Sequence, residues 1–381
     1  MLAWLLASVS GLASLPPNAK NVLFIPMDDQ RPAAKAFNQS FMETPAMDRM
    51  VREGTTFIRA FANFAWCAPS RNSFMSGRRP DVTKAWDFQH HFRETLPNAT
   101  TLPGAFKNAG WWASSVGKVY HPNLPPNCDG NLSWSGNLTQ FPVCGPNKKG
   151  SVFGYRNWNH HDAGGPQADN GTFDDCDANI VDMALKRLAY AADQYHSAAS
   201  RPFFLAVGLR SVHIPYHFPP SFADLYPAPS SIDLATHLLM DASQPLVAWY
   251  DQSGTSLEQG IGTYGDVRAS GDIARGRAVN ATEQHIIRRN YYAATSYSDT
   301  QLGRLLRGLD DLGLTNSTVV VCFGDHGQGL GEHNLWEKVR SFVRSCVCVC
   351  VCVFLTRPSF LTRPLPLMLI ALSPPLPDER L

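Results

Sequence analysis

The chain has 381 residues, which is enough for one large α/β domain or two smaller ones. A hydrophobic content of 44% predicts an ordinary globular core. The net charge of +1 at pH 7 argues against a nucleic-acid partner, because nucleic-acid-binding surfaces are strongly basic.

Residues 1–20 are predicted to be a signal peptide. The run Met1–Ala13 is apolar and rich in Leu, Ala and Ser, with small residues near a cleavage point, although it lacks a basic start. The alternative is an apolar chain start with no targeting role. Because this run is too short to span a bilayer, no transmembrane segment is predicted.

Seven N-x-S/T sequons favour passage through the secretory pathway, to a lysosomal or extracellular destination. Their asparagines are expected on surface loops: Asn38, Asn98, Asn131, Asn137, Asn170, Asn280 and Asn316. Three cysteines lie in a polar stretch, where a disulfide between two of them is expected in an oxidising compartment: Cys128, Cys144 and Cys176. The preferred pair is Cys128 with Cys144.

The predicted secondary structure alternates strands with helices. Four apolar runs are typical of buried parallel strands: 21–25, 111–116, 203–207 and 318–323. Apolar residues spaced three and four apart predict helices: 47–53, 102–109, 179–195 and 284–312. This alternation predicts an α/β fold with a mostly parallel central sheet and helices on both faces.

Polar residues follow each of the four predicted strands. Ligands of open α/β sheets bind outside the carboxyl ends of the strands, so we expect these residues to meet at one edge. They are Asp28, Asp29, Lys118, His121, His213, Asp325 and His326.

Three carboxylates at one sheet edge repel one another unless a cation lies among them. Oxygen ligands favour Ca²⁺ or Mg²⁺ over zinc, so the sequence predicts a hard-cation site. The alternative is that Asp28 and Asp29 only cap a helix or form a turn, and that Asp325 and His326 lie in a simple turn after a strand.

The most specific motif is Cys67-Ala68-Pro69-Ser70-Arg71, followed closely by Ser76-Gly77-Arg78. It resembles the signature at which sulfatases convert a cysteine to formylglycine. The hydrate of that aldehyde attacks the sulfur of a sulfate ester. The alternative is a buried or disulfide-bonded cysteine in an ordinary loop.

Residues 21–338 resemble the iduronate-2-sulfatase-like branch of the type I sulfatases. The matching segments occur in the family's order: 28–32, 67–71, 117–122, 213–216, 325–333 and 336–338. The resemblance implies an alkaline-phosphatase-like fold, one bound Ca²⁺ (or Mg²⁺ in its place), and hydrolysis of sulfate monoesters of a sulfated sugar. It also implies modification of Cys67 by a formylglycine-generating enzyme.

The same resemblance implies the ligands of the cation. They are Asp28, Asp29, Asp325, His326 and an oxygen of the modified Cys67. A bound cation polarises sulfate oxygens and lowers the pKa of an attacking hydroxyl.

The resemblance also implies roles for five catalytic residues. Arg71 holds the hydrated aldehyde, and Lys118 and Lys338 contact sulfate oxygens as point charges. His121 accepts the proton of the second hydroxyl when sulfate is expelled, and His213 protonates the leaving alcohol. A helix predicted over 70–77 would direct N–H groups towards the anion. Considered singly, such lysines are usually solvated and such histidines are usually structural.

Residues 21–340 are assigned to one catalytic domain, and residues 341–381 to an aberrant tail without a native fold. Cys and Val alternate from 346 to 353, as a translated dinucleotide repeat would encode, although a period-2 run could also form a strand. Judged by the resemblance, we expect the family's C-terminal subdomain to be missing. Ser211-Val212 also replaces the Lys-Pro that commonly precedes the family's equivalent of His213.

Two other functions are compatible with the sequence. The same scaffold and aldehyde nucleophile can serve a phosphoester or phosphonate hydrolase. The chain could also be an inactive truncated glycoprotein or a non-catalytic binding glycoprotein.

Overall fold

The computed structural model describes residues 20–135, 176–198, 200–213, 216, 218–239, 243, 279, 281–338 and 348–354. Eight strands lie in these residues: β1 Asn21–Met27, β2 Thr55–Phe61, β3 Trp112–Gly117, β4 Phe203–Gly208, β5 Thr318–Gly324, β6 Gly329–Leu330, β7 Trp336–Glu337 and β8 Cys348–Phe354. The eight α-helices of the same residues are α1 Pro45–Glu53, α2 Cys67–Ser76, α3 Pro80–Thr83, α4 Phe92–Thr95, α5 Leu102–Asn108, α6 Gly130–Ser133, α7 Cys176–His196 and α8 Ala281–Asp311.

Six of the strands form one twisted sheet in the order β2-β8-β5-β1-β4-β3. Four neighbouring strands run parallel to one another, in the order β5, β1, β4 and β3. Strand β8 is antiparallel to both of its neighbours, β2 and β5. Strands β6 and β7 form a separate two-stranded ribbon. The mostly parallel sheet predicted from the sequence is confirmed.

Alternate residues of the central strands belong to cores on opposite faces of the sheet, because side chains alternate along a strand. Leu23, Ile25 and Leu205 contribute to the core that includes residues of α1, α7 and α8. Phe24 and Phe204 contribute to the core on the other face, where residues of α2 and α5 pack. This two-sided burial explains why the strands read as continuous apolar runs.

The predicted elements agree with the structure to within a few residues at each boundary. The predicted strands correspond to β1, β3, β4 and β5, and the predicted helices to α1, α5, α7 and α8. The helix expected after the cysteine motif is α2, which begins at Cys67 itself.

The structure differs from the sequence predictions in three places. Strand β2 was not predicted, because its residues are largely exposed and lack an apolar run. Within the tail expected to have no native fold, Cys348–Phe354 forms β8 between β2 and β5, since alternating β-branched residues suit a strand. The predicted Cys128–Cys144 pair is wrong, because Cys128 is a buried thiol and Cys176 is disulfide-bonded.

The predicted signal peptide lies outside the described residues apart from residue 20, as do Cys144 and three of the sequon asparagines. The other four sequon asparagines are exposed: Asn38, Asn98, Asn131 and Asn316. Within the described ranges, no helix combines the length and the apolar character that crossing a bilayer requires.

The carboxyl ends of β3 and β4 meet at a pair of glycines with no room for a side chain. Gly117 has φ of +76°, and a Cβ on it would lie 2.3 Å from the carbonyl oxygen of Gly208. A Cβ on Gly208 would lie 2.1 Å from the carbonyl oxygen of Lys118. The close approach sets the backbone position of Lys118, whose N–H donates to the Gly208 carbonyl over 3.0 Å.

We therefore expect Gly208→Ala to push the Lys118 backbone away and to destabilise the fold by about 1–3 kcal/mol. The control is Gly303→Ala in α8, where the added Cβ meets nothing closer than 3.4 Å. That change should be neutral or stabilise by up to about 1 kcal/mol, because Ala is the better helix former. Urea unfolding measures both variants, and equal midpoints would contradict the crowding argument.

Candidate active site

The strand ends bring the acidic residues together from distant parts of the chain. Asp28 and Asp29 follow β1, and Asp325 follows the neighbouring parallel strand β5. The ladder continues past the strands, since the Asp28 N–H donates to Leu209 O and the Asp325 N–H donates to Met27 O, each over 3.0 Å. The three carboxylates are therefore held in register by the backbone.

Cys67 lies at the centre of these groups, as the first residue of α2, and is 1% exposed. Its Sγ is 3.5 Å from Asp28 Oδ1 and 3.9 Å from Asp29 Oδ1. The same sulfur is 3.2 Å from His326 Nε2, 3.0 Å from Lys338 Nζ and 3.5 Å from Lys118 Nζ. An atom so surrounded by charges is not in an ordinary apolar cysteine environment.

Arg71 ties α2 to two of the strand ends. Its Nε donates to Asp325 Oδ2 over 2.9 Å, and its Nη2 donates to Asp28 Oδ1 over 3.2 Å. Its Nη1 donates to the carbonyls of Lys118 and Val119. The guanidinium is fully buried, so these bonds satisfy a charge that would otherwise be costly to bury.

Lys118 and Lys338 neutralise the two adjacent aspartates. Lys118 Nζ forms an ion pair with Asp28 Oδ2, and Lys338 Nζ lies 3.1 Å from Asp29 Oδ1. Burial opposes ionisation of Asp28, but the positive charges of Lys118 and other nearby groups outweigh it and hold the pKa of Asp28 well below its ordinary value. Asp28 therefore remains a carboxylate at neutral pH.

Four side chains could hold a metal ion together. The ligand atoms of Asp28, Asp29, Cys67 and His326 all lie within 4.8 Å of one another. Asp29 Oδ2 is buried and has no hydrogen-bond partner, so one ligand position is unused by the protein. Apart from the Cys67 sulfur, which is a soft donor, the set consists of carboxylate oxygens and one imidazole, and those donors suit a hard divalent cation.

His326 has the orientation expected of a metal ligand. Its Nδ1 lies 3.1 Å from the Gly327 carbonyl, which leaves Nε2 directed at the carboxylates. Burial opposes a charge on the ring, but Asp325, Cys67 and Asp29 raise the pKa of His326 to about 9. A cation at this position would supply the positive charge that the carboxylates attract and would displace the proton.

The other two predicted site histidines, His121 and His213, experience the charges of the lysines. Burial and the charge of Lys118 lower the pKa of His121 to about 3. Burial and the charges of Lys338 and Lys118 lower the pKa of His213 well below its ordinary value. Both rings are therefore neutral near pH 7 in the absence of a bound anion.

The structure joins eight of the predicted site residues by direct contacts: Asp28, Asp29, Cys67, Arg71, Lys118, Asp325, His326 and Lys338. The charges of the two lysines lower the pKa of the other two, His121 and His213. Asp325 is held mainly by Arg71, and its Oδ2 is 3.4 Å from His326 Nε2.

One buried residue that supports the site was not predicted. The hydroxyl of Tyr291 donates to the carbonyl of Asp29 over 3.0 Å and accepts from the N–H of Arg31 over 2.9 Å. Asp29 has φ of 57°, a left-handed conformation that is uncommon for a residue with a side chain. Tyr291 fastens the turn on both sides of that residue. Its position inside the long helix α8 gave no signal in the sequence.

Comparison with solved structures defines the class of fold. Phosphonate monoester hydrolase of Agrobacterium radiobacter superposes with a TM-score of 0.61 at 18% identity, over 88% of this chain and 68% of that one. BT4656, solved in complex with its substrate D-glucosamine-2-N,6-O-disulfate, superposes with a TM-score of 0.56 at 18% identity, over 89% and 71%. These likenesses establish a shared fold.

The sequence comparisons are more specific. The sulfatase family model matches residues 20–342, and the chain belongs to that family. Human iduronate 2-sulfatase is 35% identical over 339 residues, which is 85% of this chain and 58% of the human protein. Choline-sulfatase of Rhizobium meliloti is 24% identical over 79% of this chain and 56% of its own length. The chain thus spans less than two thirds of the length of these relatives.

Removing the Tyr291 hydroxyl should weaken cation binding at the carboxylates. In Tyr291→Phe the Asp29 turn loses both of its ties, so we expect Ca²⁺ affinity to fall about tenfold, which corresponds to about 1.4 kcal/mol. Isothermal titration of the purified protein with CaCl₂ measures the change.

The matched control is Tyr226→Phe, which also removes a buried tyrosine hydroxyl with two polar partners. Tyr226 lies 2.6 Å from Ser296 Oγ and accepts from the N–H of Glu43 over 3.3 Å, neither of which belongs to the site. Both variants should lose similar thermal stability, but only Tyr291→Phe should lose Ca²⁺ affinity. An equal loss of affinity in both would show that Tyr291 acts only on stability.

Proposed function

We propose that this protein hydrolyses sulfate monoesters of a sulfated sugar, with formylglycine derived from Cys67 as its nucleophile. The observation that carries this proposal is the position of Cys67 Sγ, within 3.9 Å of two carboxylates, one imidazole and two ammonium groups. A site with this charge distribution favours a bound anion beside a bound cation. Membership of the sulfatase family supports the same reaction.

The residues fit a divalent cation, which we take to be Ca²⁺, or Mg²⁺ in its place. Asp28, Asp29, Asp325 and His326 would hold it, together with an oxygen on the modified Cys67. The unpartnered Asp29 Oδ2 and the direction of His326 Nε2 support this ligand set. When bound, the cation would polarise sulfate oxygens and lower the pKa of the attacking hydroxyl.

The modification requires a formylglycine-generating enzyme as a partner in the same compartment. The conversion replaces the CH₂SH group of Cys67 by CHO. The hydrated aldehyde supplies one hydroxyl to attack sulfur and a second whose deprotonation releases sulfate. The sequons and the predicted signal peptide support a secretory location, lysosomal or extracellular.

Lys118 and Lys338 are placed to hold the sulfate oxygens. Each ammonium lies within 3.5 Å of Cys67 Sγ, the atom that the attacking oxygen would replace. A bound cation would attract the carboxylates of Asp28 and Asp29. Their ion pairs with Lys118 and Lys338 would then be weaker. The lysines then offer point charges to the incoming anion. Arg71 would keep its ion pairs with Asp28 and Asp325 and would hold the modified residue.

His121 and His213 would move the protons. The neutral His121 can accept a proton from the second hydroxyl as sulfate is expelled. His213 must carry a proton to give to the leaving alcohol oxygen. A bound sulfate anion would offset the lysine charges that lower its pKa, so substrate binding itself favours its protonation.

A second candidate activity is hydrolysis of phosphonate or phosphate esters. Two phosphonate monoester hydrolases share the fold with TM-scores of 0.61 and 0.62. The same cation, nucleophile and lysines would serve phosphorus as well as sulfur. Substrate charge separates a sulfate monoester, which is a monoanion, from a phosphate monoester, which is a dianion at neutral pH. A phosphonate monoester is a monoanion like the sulfate ester.

Replacement of the nucleophile tests the mechanism. Cys67→Ala should abolish hydrolysis of 4-nitrophenyl sulfate, a loss of at least a thousandfold, and leave thermal stability within about 1 kcal/mol. Cys322→Ala is the control, because it removes another buried thiol from the core. Intact peptide mass spectrometry across Cys67 should show the loss of one sulfur and two hydrogens and the gain of one oxygen. Turnover retained by Cys67→Ala would refute the mechanism.

Paired substrates decide between sulfur and phosphorus. We expect kcat/KM for 4-nitrophenyl sulfate to exceed that for the dianionic 4-nitrophenyl phosphate by at least tenfold, and the monoanionic 4-nitrophenyl phenylphosphonate is measured beside them. The reason is that two lysines and one cation match a monoanionic ester with less desolvation than a dianion requires. A preference for either phosphorus ester would favour the second candidate activity.

A further inference from the structure

Two aromatic pairs lie side by side next to Cys67. Trp66 and Phe88 contact edge to face with ring centroids 4.2 Å apart, and Phe64 and Trp86 do so at 5.9 Å. Each segment contributes one residue to each pair, because both have aromatic residues two positions apart. We call these four residues the aromatic ladder.

The inner pair of the ladder is continuous with the active site. Trp66 immediately precedes Cys67, and the ring of Phe88 lies 4.8 Å from the ring of His121. His121 in turn lies in the electrostatic field of Lys118 and Arg71. The inner pair therefore borders the active site beside His121, and the outer pair lies two positions earlier in each segment.

The outer pair of the ladder reaches solvent. Trp86 is 43% exposed, although it is the largest apolar side chain of its segment. Lys84 is also exposed. Ala85, which lies between Lys84 and Trp86 in the chain, is fully buried and holds the backbone of both residues against the protein. Within the described residues, the Lys84 ammonium forms no ion pair. A half-exposed indole two positions from an exposed lysine suits a ring that is apolar on one face and carries an anionic group.

We propose that Trp86, with Phe64 and Lys84, forms a subsite for the sugar unit next to the sulfated one. The occupant is the second ring of a sulfated or carboxylated disaccharide, stacked on Trp86 with an anionic group near Lys84. This inference rests on the proposed function, because it places the sulfated unit at Cys67. The substrate is accordingly an oligosaccharide, bound through at least two rings.

The chemistry of the subsite favours a sugar over a protein partner. A pyranose ring presents an apolar C–H face and a polar rim, and one indole is large enough to cover that face. Protein interfaces of stable complexes need a much larger continuous surface, about 800 Å² on each partner. The ladder offers one exposed aromatic ring, so one sugar unit matches its size.

The experiment compares two substrates that differ by one ring. One is 2-O-sulfo-iduronate, and the other is a disaccharide that joins 2-O-sulfo-iduronate to D-glucosamine. In Trp86→Ala, we expect KM for the disaccharide to rise about tenfold, kcat to stay within twofold, and both constants for the monosaccharide to stay unchanged. Trp86→Phe should restore most of the disaccharide affinity, because it keeps an aromatic face.

Tyr190→Ala is the matched control. Tyr190 is 50% exposed on α7, and among the described residues its ring contacts that of Trp112 at 5.2 Å, as Trp86 contacts that of Phe64. This variant should behave as wild type on both substrates. Equal losses on the two substrates in Trp86→Ala, or no loss on either, would overturn the subsite.

Binding measured without turnover separates this proposal from the proposed function. Saturation-transfer NMR on Cys67→Ala should show contact of the glucosamine ring in the disaccharide, lost when Trp86→Ala is added. If wild type hydrolyses neither sugar sulfate and this contact is present, the reaction is wrong but the subsite stands. If hydrolysis is present and the glucosamine contact is absent, the subsite is wrong and the reaction stands.

Discussion

The burial of three carboxylates and one cysteine at a single point is the constraint on which the rest of this structure depends. Carboxylates this close destabilise a folded chain unless positive charge lies among them. Arg71, Lys118 and Lys338 supply that charge from three separate segments. The carboxylates and the basic side chains therefore lie next to each other. An enzyme that binds a metal ion and an anion together needs such an arrangement of charges.

The sheet makes this arrangement of charges possible because it fixes the backbone positions from which the charged side chains extend. Hydrogen bonds extend past β1 and β5 to Asp28 and Asp325, and crowded glycines set the path of Lys118 beside β4. Side chains on such rigid ends lose little further entropy when they converge. The Tyr291 hydroxyl adds a hydrogen bond from α8 to the turn in which Asp29 has a left-handed conformation. Rigid placement of charges is what the proposed chemistry requires of the protein.

Much of the site could be predicted because its residues follow recognisable signals. The strands are apolar runs, and the carboxyl ends of parallel strands meet at one edge. Cys67 stands in a specific five-residue motif. Tyr291 could not be found in this way, since a tyrosine in a long amphipathic helix looks like any core residue. The disulfide prediction failed because spacing along the chain does not determine which cysteines approach in space.

The sequence by itself determined the class of fold and the approximate ends of the main elements, and it predicted the residues of the candidate site, because these depend on local periodicity and on short motifs. Only the tertiary structure decided how the charges are shared. It pairs Arg71 with Asp28 and Asp325, leaves one oxygen of Asp29 unpartnered, and places the aromatic ladder beside His121. It also places β8 between β2 and β5, where strand pairing overrides any expectation drawn from composition. Such contacts join residues tens to hundreds of positions apart, and their geometry is set by packing that no local pattern records.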